Sequence, residues 1–250
     1  MIILLDNRIW FPHPESQWID EDTGEITMLG ESDGGMIAVG GDLSTERLLL
    51  AYENGIFPWF SFRVGDMYWY CPVHRFVIFP DEIHVSHSMR TLMNKHIYRV
   101  TFNTAFDQVI RGCSTADGRI DEYGAWLGDD IIDSYTKLHK LGRARSVEVW
   151  RGEELVGGLY GVACGKGFVG ESMFSLEPNT SKLALIALAR QMQQQGGSLI
   201  DCQIHTPHLE SLGARFISYK EYVIALWGED AYHTWQERPI LSLNNQFMLE

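Results

Sequence analysis

From Ser146 onward the chain carries a hydropathy pattern that admits few folds. Residues 146–150 alternate apolar and polar, Arg151-Gly152 makes a turn, and residues 155–162 resume the strand pattern. That is a hairpin signal. Residues 167–170 continue as a short strand. A strongly apolar helix is predicted over 183–192, capped by Ser181 and ended by Gly196-Gly197, and residues 199–204 are again strand-like. A hairpin followed by one β-α-β crossover must bury its sheet against helices. The prediction is therefore an α+β (mixed α/β) layered domain. Thr206-Pro207 supplies a cap with proline at the first helical position, and Gly213 stops the short helix that follows.

The first half is less regular. Residues 1–41 look irregular, with turn clusters at Asp33-Gly34-Gly35 and Gly40-Gly41. Ser44 can then cap a helix whose apolar face is Leu48, Leu49, Leu50, Ala51 and Tyr52, and Asn54-Gly55 ends it. Strands are predicted at 68–70 and 76–79, and helices at roughly 86–95, 103–112 and 129–141. A domain boundary is expected between 60 and 100, although no linker composition marks it.

Several function classes are excluded or disfavoured. The net charge is −13, and residues 1–62 hold two Arg against eleven acids. Such a chain repels polyanions at long range, so a nucleic-acid partner must be met by a local basic patch, most readily in the middle of the chain. No apolar run approaches the ~20 residues of a membrane span, so no membrane partner is expected. Cys71, Cys113, Cys164 and Cys202 are widely spaced. They are expected as reduced thiols in a cytoplasmic protein. No GxxxxGK[ST] or GxSxG occurs. His84/His87 and His205/His208 lack the further ligands a metal site requires, so no metal is predicted.

Three places exceed the needs of packing. Glu171 sits at a strand end in an apolar context, where it either meets Lys182 or an Arg in a salt bridge or serves function. Asp201 and Gln203 flank Cys202, and a strand period of two would put both polar groups on one face. They are either a strand-end cap or a working pair. Cys202 is read as core, since no His/Asp arrangement is evident to activate it. The aromatic set Trp59, Trp69, Trp126 and Tyr135 is core by default, with a pocket-lining role needing support from elsewhere.

Longer motifs supply a resemblance. Ala38-Val39-Gly40-Gly41-Asp42-Leu43-Ser44, Asn54-Gly55-Ile56-Phe57-Pro58-Trp59-Phe60, Ser146-Val147-Glu148-Val149-Trp150 and Leu155-Val156-Gly157-Gly158-Leu159-Tyr160-Gly161-Val162 resemble the leucyl/phenylalanyl-tRNA–protein transferase family. So do Gly170-Glu171-Ser172-Met173-Phe174-Ser175 and Leu199-Ile200-Asp201-Cys202-Gln203, all in family order across roughly residues 10–225. The resemblance implies transfer of Leu or Phe, less often Met, from the 3′ end of an aminoacyl-tRNA to a protein N-terminus beginning with Arg or Lys. The product is an N-degron of the N-end rule. It also implies a small N-terminal domain, 1–75, and a larger catalytic domain, 76–250, resembling the GNAT acyltransferases. The aminoacyl ester is already activated, so no cofactor is expected. The family's catalytic residues fall on Asp201, Gln203 and Glu171. Its side-chain pocket falls on Trp59, Trp126, Tyr135, Phe168 and Ile200, with Leu159 and Leu188 at positions that often carry Met or Phe.

The chain departs from the family pattern at Ala125, Leu176 and the run Gly142-Arg143-Ala144-Arg145. Arg143 and Arg145 are expected to replace the positive charge missing at Leu176. Two rival readings stand beside transfer from tRNA. An acyl-CoA-dependent GNAT acyltransferase would need a glycine-containing pyrophosphate loop, and Leu176-Glu177-Pro178-Asn179-Thr180-Ser181 has no glycine. A non-catalytic N-degron binder would leave Asp201 and Gln203 purely structural.

Overall fold

The computed structural model describes residues 3–19, 25–60, 67–115, 120–121, 124–125 and 128–233. It resolves into two compact units, one running to Arg75 and resuming at Phe216, the other spanning Phe76–Arg215. The return of the segment from Phe216 to the first unit differs from the simple division of the sequence at 75/76.

In the first unit, β1 (Ile3–Leu5), β2 (Gln17–Ile19), β3 (Ile26–Met28) and β4 (Met36–Gly40) precede α1 (Thr45–Glu53), β5 (Phe57–Phe60) and β6 (Met67–Tyr70). The sheet order is β1-β4-β6-β5, with β1 parallel to β4, while β2 and β3 form a separate antiparallel ladder. The expectation of irregular chain over 1–41 is therefore corrected. These strands are three to five residues long, too short for alternation to show, and pairing partners distant in sequence create them. α1 starts as predicted, with the Ser44 hydroxyl accepting from the Arg47 amide. Arg47 is fully buried. Its guanidinium donates to the carbonyls of Asp6 (2.8 Å) and Arg8 (3.1 Å) and, through Nε, to Asp42 (3.3 Å). Arg75 is likewise buried, donating to the Gly55 carbonyl at 2.6 Å beneath the rings of Phe57 and Tyr222.

The second unit comprises β7 (His74–Ile78), α2 (His87–Asn94), β8 (Arg99–Phe102), α3 (Phe106–Thr115), β9 (Ile120–Asp121), β10 (Gly124–Ala125) and α4 (Asp129–Lys140). It continues through β11 (Ala144–Arg151), β12 (Glu154–Cys164), β13 (Gly167–Ser175), α5 (Thr180–Gln195), β14 (Leu199–Asp201) and α6 (Pro207–Glu210). β15 (Arg215–Ser218) and α7 (Tyr219–Trp227) follow, and from Phe216 onward they belong to the first unit. Within the unit the sheet runs β7-β14-β13-β12-β11-β8. β11 and β12 form the predicted hairpin, β13 extends it as a third antiparallel strand, and β13 to β14 across α5 is the predicted crossover, with parallel pairing. With seven α-helices among the described residues, the architecture is mixed α+β.

Side-chain alternation along β12 separates two layers. Leu159 joins Val147, Val149, Phe168 and the α5 residues Leu185 and Leu188 in one core. Tyr160 points the other way, edge-on to Phe106 of α3 and Tyr135 of α4. Close approach of α3 needs glycine at 112, where a Cβ would lie 2.8 Å from the Phe174 ring.

Two local expectations fail. Ser181 is not the cap of α5, which begins at Thr180 after Asn179 in a left-handed conformation. The Thr180 hydroxyl donates to the Val156 carbonyl at 2.9 Å, and this tie to β12 sets the start. The strand predicted over 199–204 stops at Asp201.

Candidate active site

β13 and β14 stay paired only from Gly167↔Leu199 to Val169↔Asp201. Beyond that point β14 ends, and the space beside the rest of β13 is a cavity of about 360 Å³. Leu159, Phe168, Leu185, Leu188, Ile200 and Leu209 make its apolar wall, and Glu171, Asp201, Gln203 and Thr206 bring polar groups to it. A mostly apolar hollow with a few convergent polar groups is the usual form of a small-ligand site.

Each polar group is placed by a local irregularity. On β12–β13, Tyr160 pairs with Ser172 while Gly161 pairs with Gly170, so Glu171 is the extra residue of a β-bulge. A bulge re-aims the side chain it carries. Gly161 is required opposite it, since a Cβ there would sit 2.1 Å from the Val169 carbonyl oxygen. Gln203 has φ 61°. The Ile204 amide donates to the Cys202 carbonyl at 2.6 Å across it, which is the bonding of a tight γ-turn. The Asp201 carboxylate accepts the Gln203 amide at 2.9 Å and fixes the turn. Asp201 and Gln203 are thus brought together by a turn rather than by the pleat of one strand, which corrects the period-two argument. A non-glycine residue in this region costs about 1–3 kcal/mol, and such residues concentrate at functional sites.

The groups form a chain of hydrogen bonds. Gln203 Nε2 donates to Glu171 Oε1 at 3.2 Å, and the Tyr135 hydroxyl donates to Glu171 Oε2 at 3.1 Å. Tyr135 and Gln203 are thus hydrogen-bond partners of Glu171, alongside the salt-bridge alternative open in the sequence. Asp201 is fully buried. Burial, and then the neighbouring Asp201 charge, push the Cys202 thiol well above its ordinary value. It stays protonated and is no nucleophile. Cys71, Cys113, Cys164 and Cys202 are all free thiols.

Of the residues singled out in the sequence, Glu171, Asp201, Gln203, Leu159, Phe168, Leu188 and Ile200 line the cavity. Tyr135 stands behind it on Glu171. Trp59 lies on β5 in the first unit, half-buried and edge-on to Tyr70. Trp126 lies outside the described residues. Leu185, Leu209, Thr206 and Met173 were missed. Leu185 was accessible to reasoning, being three residues before Leu188 on one helix face. The others follow from no local pattern. The Leu176 amide donates to Val156, whereas Arg145 pairs with Gly161. Five residues of strand separate them, about 17 Å. Among the described residues no group of three or more His, Cys, Asp or Glu could hold a metal ion, and no helix is long and apolar enough to cross a membrane.

Residues 77–226 match the family model described as leucyl/phenylalanyl-tRNA protein transferase, and residues 41–73 match the model of that family's N-terminal domain. The chain belongs to the leucyl/phenylalanyl-tRNA–protein transferase family. A transferase of this name from Hahella chejuensis is 44% identical over 235 residues, covering 93% of this chain and 94% of the relative. One from Flavobacterium psychrophilum is 51% identical over 189 residues, 76% of this chain and 89% of the relative. One from Shigella dysenteriae serotype 1 is 49% identical over 224 residues, 89% and 88% of the two chains. Among solved structures, L-PGS from Bacillus licheniformis aligns at 16% identity and a TM-score of 0.39, covering 76% of this chain and 63% of that one. The bulge residue Glu171, the turn residue Gln203 and all the cavity-lining residues named above fall inside the family match at 77–226.

Proposed function

We propose that this chain moves leucine or phenylalanine, and less readily methionine, from the 3′ end of an aminoacyl-tRNA to the N-terminal amine of a protein beginning with Arg or Lys. The product is an N-degron. What carries the reading is the Glu171–Gln203–Asp201 constellation at the edge of an apolar cavity, in a chain of this family. The cavity suits an unbranched or γ-branched apolar side chain and rejects a charged one. One methylene in such a hollow is worth only ~1–3 kcal/mol, so a relaxed preference among Leu, Phe and Met is expected.

The acceptor amine attacks the ester carbonyl. A C–N bond forms, the C–O bond to the ribose breaks, and the amine gives up a proton while the ribose oxygen gains one. Gln203 Nε2 donates to a carboxylate, which leaves its carbonyl oxygen as the acceptor for the amine. Asp201 fixes the turn that presents Gln203, and Glu171 adds the negative charge that suits a cationic acceptor. Positioning of this kind can supply a large share of a transfer barrier when the ester is already activated. No cofactor enters these steps.

We assign the catalytic role to the part from Phe76 onward and infer a GNAT-like fold for it. A mixed sheet whose two parallel strands part beside a bulge supports that assignment. Four free thiols support a reducing, cytoplasmic setting. The test supplies Leu-tRNA, Phe-tRNA or acetyl-CoA with an Arg-starting peptide and reads the peptide mass. Addition of leucyl or phenylalanyl is expected, and Gln203→Ala should lower kcat about a hundredfold, or ~2.7 kcal/mol, with the fold intact. Acetylation, or binding without any mass change, overturns the reading.

A further inference from the structure

Glu148 on β11 is a fully buried carboxylate that the transfer chemistry above does not use. It accepts hydrogen bonds from the hydroxyls of Thr101 (2.5 Å), Ser146 (2.6 Å) and Thr104 (2.9 Å), and from the amides of Thr104 and Ala105 (both 3.4 Å). A charge taken out of water is tolerated only when it is bonded in this way. The two amides immediately precede Phe106, the first residue of α3. Ala105 holds the cap position, its carbonyl accepting from Gln108 and Val109. Alanine has no side-chain oxygen with which to cap a helix. Glu148 supplies from the neighbouring strand an acceptor for the amide of this cap residue and of the residue before it, and so places a carboxylate at the positive end of the helix.

What this fixes is the ring of Phe106. It lies flat on His139 of α4 at 4.2 Å and 5°, and edge-on to Tyr160 at 5.9 Å and 80°. Tyr160 in turn meets Tyr135 edge-on at 5.6 Å and 79°. His139 Nδ1 is 2.9 Å from the Ala144 carbonyl, tying the last turn of α4 to the start of β11. Phe106, Tyr160 and Tyr135 are all nearly inaccessible, and close-packed rings pass on a displacement rather than absorb it. The end of this ladder is the Tyr135 hydroxyl on Glu171.

We infer that Glu148 is a positioning residue for the transfer site: by holding Thr104 and Ala105, which lead into α3, it sets, through Phe106 and Tyr160, where the Tyr135 hydroxyl meets Glu171. The inference rests on the function proposed above for its kinetic consequences, but its structural part does not. Two readouts on the full chain keep them apart. In Glu148→Gln, amide hydrogen exchange at residues 132–135 of α4 should quicken about tenfold while α5 is unchanged; unchanged exchange in α4 overturns the inference. In the transfer assay Glu148→Gln should lower kcat about tenfold and leave the donor KM within about twofold. In a Tyr135→Phe background the same change should cost less than about twofold. Equal losses in both backgrounds would mean general destabilisation and would overturn it. Phe106→Leu interrupts the ladder without disturbing the buried carboxylate and should reproduce both results, which decides the matter if Glu148→Gln does not fold. A parent protein without transfer activity would sink the functional reading alone, and the exchange experiment would still decide the ladder.

Discussion

Cys202 and Gln203 are neighbours with opposite fates. The thiol lines the cavity yet is held protonated, first by burial and then by the Asp201 charge. Iodoacetamide at pH 8 should therefore leave Cys202 unmodified in the folded protein and label it after denaturation in urea, as peptide mass mapping would show. Labelling of the native chain at the rate of a free thiol would contradict that placement. Gln203 is the opposite case, a side chain whose backbone is strained in order to present it. The residue types were legible in the sequence, because polar groups between Ile200 and Ile204 need a reason. The mode of presentation was not. A period-two strand and a γ-turn put the same two side chains together, and only the turn requires the Asp201 carboxylate to hold the Gln203 amide.

At the scale of elements, the site exists because β13 has one residue too many for β12 and β14 stops short. The bulge hangs on Gly161, whose position opposite it has no room for a Cβ. Gly161→Ala should destabilise the protein by about 3 kcal/mol, since the clash is with backbone and cannot be relieved by a rotamer. Urea unfolding of the two proteins measures it, and a difference below about 1 kcal/mol would show that the bulge adapts. The hairpin, the crossover and α1 were legible because each carries a long periodic run or a cap. The four strands before Gly41 were not, because a strand of three residues has no period to detect. The bulge was hidden for a related reason: Gly170-Glu171-Ser172 looks like continuous strand until the register of β12 is known.

For the whole molecule, the charge of −13 gathers towards the N-terminal part, and there acids are used structurally. Burial would raise the Asp42 carboxyl, but hydrogen bonds from Ser44 and the Arg47 guanidinium prevail and hold it below its ordinary 3.8. The folded form then binds that proton less tightly than the unfolded chain. Its contribution is whole above about pH 3.8 and is lost as pH falls through the lower folded value. The urea midpoint should drop between pH 5 and 2, and the drop should be shallower in Asp42→Asn; identical slopes would remove Asp42 from the account. Sequence alone determined the layered α+β class and the family and pointed to Glu171, Asp201 and Gln203 as candidate site residues, because these depend on residue type and on patterns repeated along the chain. Tertiary structure decided that the segment from Phe216 returns to the first unit, that Glu171 sits on a bulge, and that Glu148 accepts the amides leading into a helix it does not belong to. Those facts depend on contacts between residues far apart in the chain, whose geometry is fixed only when the whole core closes.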